Sequence, residues 1–285
     1  MRQIHIFYYF FLFHVIYLIL PNCVKSYMNT SVSESLVRLI ALYLSTLKGT
    51  EKRAVISSLT THLQSFIANI DKATLFNLSE EHSKNISEGK TTIEKLIHEI
   101  TDEIKSSARE KDKIMFLLVL LYITKYFEDI GKTILPEKIA AALGIDEENY
   151  LQYRLFVTTE DPLAINSPDY IVFSSETTDQ SDKLEGRWIE DREQPQIKNI
   201  NYLTIGNFKG KLLIMYVRSV QSFVIRCMED NQKETKNEKL NKCSFLIVGP
   251  GSSVRLNGQN ILTYSDIKRK YIRQNAQRIV TLSVN

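Results

Sequence analysis

Cysteine, histidine, tryptophan, proline and glycine are all scarce in this 285-residue chain: 3 Cys, 5 His, 1 Trp, 6 Pro and 10 Gly. Cys23, Cys227 and Cys243 are odd in number and lack C-x-x-C spacing, so neither a zinc site nor a disulfide framework is indicated. Cys227 and Cys243 flank a polar insertion and pair only in an oxidising compartment; two reduced, partly buried thiols are the other reading. No histidine lies in the second half, and neither G-x-S-x-G nor H-E-x-x-H occurs, which removes the usual hydrolase constellations. No catalytic residue is assigned. Charge of one sign is also lacking: 36 basic against 33 acidic residues leave +3, and no basic stripe interleaves with aromatics. Nucleic acid is therefore not expected as a partner.

The one long apolar run is at the start. Ile4 to Leu20 is interrupted only by His5 and His14, follows Arg2, and ends at Pro21. This is the shape of a signal peptide or a marginal anchor, with membrane contact through residues 4–24, and Val24 and Ser26 suit cleavage before Tyr27. Alternatively Met28 initiates the protein, since a capped helix follows it directly. The first two readings place the protein at a membrane or outside the cell, the third in the cytoplasm.

From Ser31 to about Phe156 the pattern is helical. Ser31-x-x-Glu34 reads as a capping box, followed by Val32, Leu36, Leu39, Ile40, Tyr43, Leu44 and Leu47 at three- and four-residue spacing until Gly49. A second helix is predicted from about Glu51 to Ala68, a loop over Ser79 to Lys90, and a third helix opened by Thr91-x-x-Glu94. His98 reads as a helix-face side chain rather than a ligand. Ile114 to Ile123 is apolar all round, which predicts a central helix. Pro136 suits a first helical position, Gly144 a stop, and Asp146 the cap of a last helix.

After Val157 turn residues punctuate short apolar segments. Strands are predicted at Tyr170 to Phe173, Lys211 to Val217, Ser222 to Met228, Cys243 to Val248 and Ile261 to Tyr264, with Asp230 to Lys242 an exposed connection and Trp188 a core or edge anchor. The expected class is α+β: an all-helical bundle over 28–157, then a mostly antiparallel, β-sandwich-like domain over 158–285, preceded by the segment 1–27.

One stretch invites a chemical question. "GPGSSVRLNGQN", Gly249 to Asn260, follows the apolar run Phe245 to Val248, as a phosphate cradle would follow a strand. A P-loop needs G-x-x-x-x-G-K-[ST], and Gln259 follows Gly258 here. The local reading is a strand, a glycine turn and a return strand.

Two resemblances extend this reading. "ILPEKIAAALGIDEENYLQYRLFV", behind the central apolar helix, resembles the second half of a TerB-like tellurite-resistance domain, whose halves carry Asp-Gly loops proposed to bind divalent metal. Lys48-Gly49 and Glu128-Asp129-Ile130-Gly131 depart from that pattern, so no metal is expected. "GKLLIMYVRSVQSFVIRC", "GPGSSVR" and "TYSDIKRKYI" resemble the forkhead-associated-like part of large bacterial proteins, in which an ATP-binding cassette and membrane helices follow. The resemblance implies that Gly249, Gly251, Ser252, Ser253 and Arg255 form a β-domain loop, with phosphothreonine recognition by Arg255 and Ser252 or Ser253 as its ligand-binding alternative to a plain turn. The usual Gly-Arg and Ser-x-x-His pattern is absent, and so are Walker motifs. The expected function is a non-enzymatic regulatory or protein-interaction module, without cofactor, accessory to or part of an ABC-type ATPase, with a cassette subunit or a phosphopeptide as partner. The competing expectation is an exported or membrane-tethered envelope protein binding an unrelated ligand.

Overall fold

A helix that is apolar on every side must be surrounded. In the computed structural model, Asp112 through Ile123 is buried without a break, and the other elements are arranged about this stretch. The described residues are 29–64, 66–67, 70–162, 165, 167–174, 200–202, 211–228, 245–256 and 259–282. The segment 1–27, Trp188, Cys23, Cys243 and the 230–242 connection lie outside them.

Eight described helices precede the strands: α1 Thr30–Leu44, α2 Gly49–Leu63, α3 Lys72–Ser87, α4 Ile93–Ser107, α5 Glu110–Tyr126, α6 Glu128–Ile134, α7 Pro136–Ala142 and α8 Glu147–Thr158. Helix α5 is the central one, contacting α1, α6, α7 and α8. Asp146 caps α8 by accepting from the Asn149 N–H at 2.8 Å, and Pro136 opens α7, both as the pattern predicts.

Three helix boundaries correct the sequence reading. The cap of α1 is Asn29, whose side chain accepts from the Ser31 N–H, so Ser31 already lies inside the helix. The cap of α4 is Thr92 rather than Thr91, and it accepts from the Lys95 N–H. The polar stretch predicted as a loop over 79–90 is mostly helix α3. Asp71 caps it through the Thr74 N–H at 2.6 Å, and Leu75, Ser79 and His82 form its buried face. One leucine, one serine and one histidine make a stripe too weakly apolar for periodicity to register.

The strands are β1 Tyr170–Ser174, β2 Ile200–Tyr202, β3 Lys211–Val217, β4 Ser222–Cys227, β5 Phe245–Val248, β6 Ser253–Leu256 and β7 Gln259–Thr263, and helix α9 Tyr264–Leu282 follows. The first five form one sheet in the order β2-β1-β3-β4-β5, antiparallel except for the β1/β2 pair. The fold is α+β, with the bundle followed by a mostly antiparallel sheet.

Side chains alternate across that sheet, and both faces are apolar. Tyr170, Val172, Leu213, Met215, Val217, Val224 and Phe245 join the core of the bundle. Ile171, Phe173, Leu212, Ile214, Phe223, Ile225 and Cys227 pack the opposite way, with Val254, Leu262, Tyr264 and Ile267. The second cover is therefore a two-stranded hairpin, β6 with β7, together with α9. The described residues show no sandwich; helices stand on one face of the sheet and a hairpin with a helix on the other.

The region after Val157 is thus less β-rich than the sequence reading has it. Helix α9 begins at a reciprocal cap: Asp266 accepts from the Thr263 N–H and hydroxyl, and Thr263 Oγ1 accepts from the Asp266 N–H.

Candidate ligand-binding loop

The glycine segment leaves β5, paired with β4, and enters β6, paired with β7. It is a crossover between two sheets, which corrects the expected hairpin return. The Ser252 N–H donates to the Gly249 carbonyl at 3.0 Å, closing a β-turn with Pro250 and Gly251 at its centre. Gly251 sits at φ +79°, the position of a type II turn that favours glycine. The Tyr264 N–H then donates to the Ser252 carbonyl at 3.0 Å, tying the turn to the start of α9.

Gly249 has a different reason for being glycine. A Cβ there would lie 2.9 Å from Lys111 Nζ and 3.4 Å from Ser222 Oγ. Ser222 is fully buried and donates to the Val220 carbonyl at 3.0 Å, so that wall is fixed. The other wall is a lysine ammonium, delivered from the first turn of α5.

That first turn and its cap carry three cations and two carboxylates, which among the described residues form two ion pairs. Arg109 pairs with Asp112 at 2.8 Å and Lys113 with Glu110 at 2.8 Å. Among the described residues no carboxylate pairs with Lys111. Arg109, at the cap position of α5, makes no side-chain cap bond either. A cation near a helix N-terminus opposes the helix dipole, so helix stability does not account for Lys111. What the arrangement offers is an ammonium with no carboxylate partner among the described residues, beside a glycine turn, the chemistry of an anion contact.

The predicted residues are thereby partly gathered. Gly249, Gly251 and Ser252 share the turn, with Gly251 and Ser252 exposed, and Ser253 begins β6. Arg255 lies on β6 opposite Asn260, just beyond a register irregularity, and its side chain is outside the described residues. Sequence reasoning missed Lys111. Its only local signal is an unpaired lysine among alternating charges at a helix start, and that does not point to a loop far along the chain.

Other polar groups are occupied structurally. Asp169 is buried and accepts from Arg218 through both carboxylate oxygens, at 2.9 and 3.1 Å, and from the Tyr271 hydroxyl at 2.8 Å. Burial first, and the neighbouring carboxylate next, push the Tyr271 hydroxyl well above its ordinary pKa. Arg226, on the bundle side of β4, donates to the Phe156 and Thr159 carbonyls at the end of α8, which joins sheet to bundle. His98 is exposed beside Asp102 on its own helix, in keeping with the helix-face reading. Among the described residues no group of three or more His, Cys, Asp and Glu side chains converges to hold a metal ion. No described helix is long and apolar enough to cross a membrane.

Set against protein-family models, curated proteins and solved structures, the chain matches none.

Proposed function

We propose that this protein is a non-enzymatic interaction module whose 249–253 turn, with Lys111, receives an anionic group on a protein partner. The observation that carries the reading is Lys111 Nζ lying over Gly249 without a carboxylate partner among the described residues. A phosphorylated side chain docking at this turn would meet the Lys111 ammonium beside Gly249. The resemblance of the sheet region to forkhead-associated-like segments of ABC-type proteins favours a phosphothreonine peptide and a cassette-bearing partner. An envelope protein tethered through residues 4–24 is the second reading, supported by the apolar run Ile4 to Leu20.

A phosphothreonine peptide array, probed with the full chain and with Lys111→Gln, tests the proposal. Phosphate-dependent spots that disappear in the variant are expected. A blank array for wild type, or spots indifferent to the substitution, would overturn it. Magnesium ATP is expected to leave the thermal midpoint unchanged, because ligands stabilise only the state they bind and this chain has no Walker lysine. A concentration-dependent rise would contradict the assignment of nucleotide binding to a partner.

A further inference from the structure

Helix α9 bears five basic residues and one acidic one, a net +4 in a chain whose total is +3. Its orientation is fixed from the inside. Ile267 is fully buried, the Tyr271 hydroxyl donates to Asp169, Gln274 donates to the Tyr170 carbonyl at 3.0 Å, and Asn275 donates to the Pro168 carbonyl at 3.3 Å. The opposite face consequently points outward, and it presents Lys268, Arg269, Ile272 and Arg273, all exposed. These stand at i, i+1, i+4 and i+5, which places them on one side of the helix.

Two features of this face go beyond a solvated surface. Among the described residues only Arg269 has an acidic partner, Asp266 of the same helix, and that pair is itself exposed. Ile272, set among the cations, is 55% exposed, more than the other exposed large apolar side chains Phe76, Tyr126, Leu151 and Leu155. Cations alone suit any polyanion, since phosphate backbones ask only for charge. An isoleucine in their midst gains nothing from a phosphate backbone and gains burial at a lipid interface.

We infer that the outer face of α9 is a docking surface for an anionic lipid bilayer, with Lys268, Arg269 and Arg273 meeting headgroups and Ile272 entering the acyl boundary. The site is independent of the 249–253 turn, so failure of either proposal leaves the other standing.

Co-sedimentation of the full chain with phosphatidylcholine vesicles, and with vesicles containing about one-third phosphatidylglycerol, tests this. The run 4–20, flanked by Arg2 and Lys25, is the same in wild type and in every α9 variant, so a change on substituting α9 reports α9 itself. The expected result is a preference for the anionic vesicles that weakens with salt and falls at least about tenfold when Lys268, Arg269 and Arg273 are all changed to Gln. Ile272→Ser, which keeps every charge, is expected to reduce the partition coefficient about threefold or more while leaving heparin binding unchanged. Equal binding to both vesicle types, or a preference unaffected by the triple substitution, would overturn the inference. So would an Ile272→Ser variant that binds anionic vesicles as wild type does, which would make the face a general polyanion site. The substituted side chains are exposed; a far-UV melt confirms that each variant is folded, and the salt titration of wild type decides the electrostatic part independently.

Discussion

Gly249 and Gly251 are two residues apart and are glycines for unrelated reasons. Gly251→Ala meets no atom within 4 Å, so its cost is the backbone strain of a Cβ at φ +79°, about 1 kcal/mol of stability by chemical denaturation. Gly249→Ala instead crowds Lys111 Nζ, the free end of a flexible side chain, with Ser222 Oγ behind it. It is expected to lower stability little while weakening phosphopeptide binding as Lys111→Gln does; normal peptide binding by Gly249→Ala would separate the lysine from the site. His82 is the residue to watch on acidification. It is buried on α3 with Nε2 unpartnered among the described residues, and burial holds its pKa below the ordinary 6.5, with the Arg38 charge lowering it further and Glu81 opposing. A base with a depressed folded pKa is neutral in the fold and takes up its proton on unfolding. Its contribution is therefore complete above about pH 6.5 and is lost as pH falls toward the folded value. Denaturation at pH 7.5 and 5.5 is expected to show a smaller loss for His82→Gln than for wild type; equal losses would place the acid sensitivity elsewhere.

At the scale of elements, α3 and α9 show how a helix escapes a reading based on periodicity. Each is opened by a side-chain cap, Asp71 or Thr263, and each buries a sparse face. In α9 the signal is Thr263-x-x-Asp266 with Tyr264, Ile267 and Tyr271 behind it, and the strand residues just before overshadow it. The cap also holds the Asp266 carboxyl below its usual pKa, through the Thr263 hydroxyl first. Thr263→Val removes the hydroxyl from both of its bonds and is expected to cost about 1 kcal/mol, with amide exchange accelerated in the first turn of α9. An unchanged exchange pattern would show that packing of Ile267 and Tyr271 holds the helix without its cap. Helix α5 is the opposite case, legible because all of its faces are apolar. Phe116 is fully buried within it, and Phe116→Ala is expected to destabilise by about 3–5 kcal/mol.

For the molecule as a whole, the decisive feature is that the bundle core runs into the sheet. Phe245 of β5 stacks on Phe66 at 5.5 Å and lies 6.0 Å from Phe156 and 6.1 Å from Tyr122, ring centre to ring centre. Val172, Leu213, Arg226 and Phe245 are register partners in turn across four strands, forming one row that faces the helices. Burial shared in this way couples the two halves, so thermal unfolding is expected as a single transition by far- and near-UV signals. Phe245→Ala is expected to lower both together; a helical signal that melts separately from the aromatic one would show that the bundle and the sheet unfold as independent units. The sequence by itself determined the α+β class, the central helix, the Asp146 cap and four of the sheet's five strands, because each follows from local periodicity, capping chemistry or apolar runs bounded by turns. Tertiary structure alone decided that the second face of the sheet is covered by a hairpin and α9 rather than another sheet, since apolar strand faces specify burial without naming the cover. It also decided that Lys111 reaches Gly249, because an ammonium and a turn so distant in sequence are neighbours only once α5 and β5 pack against each other.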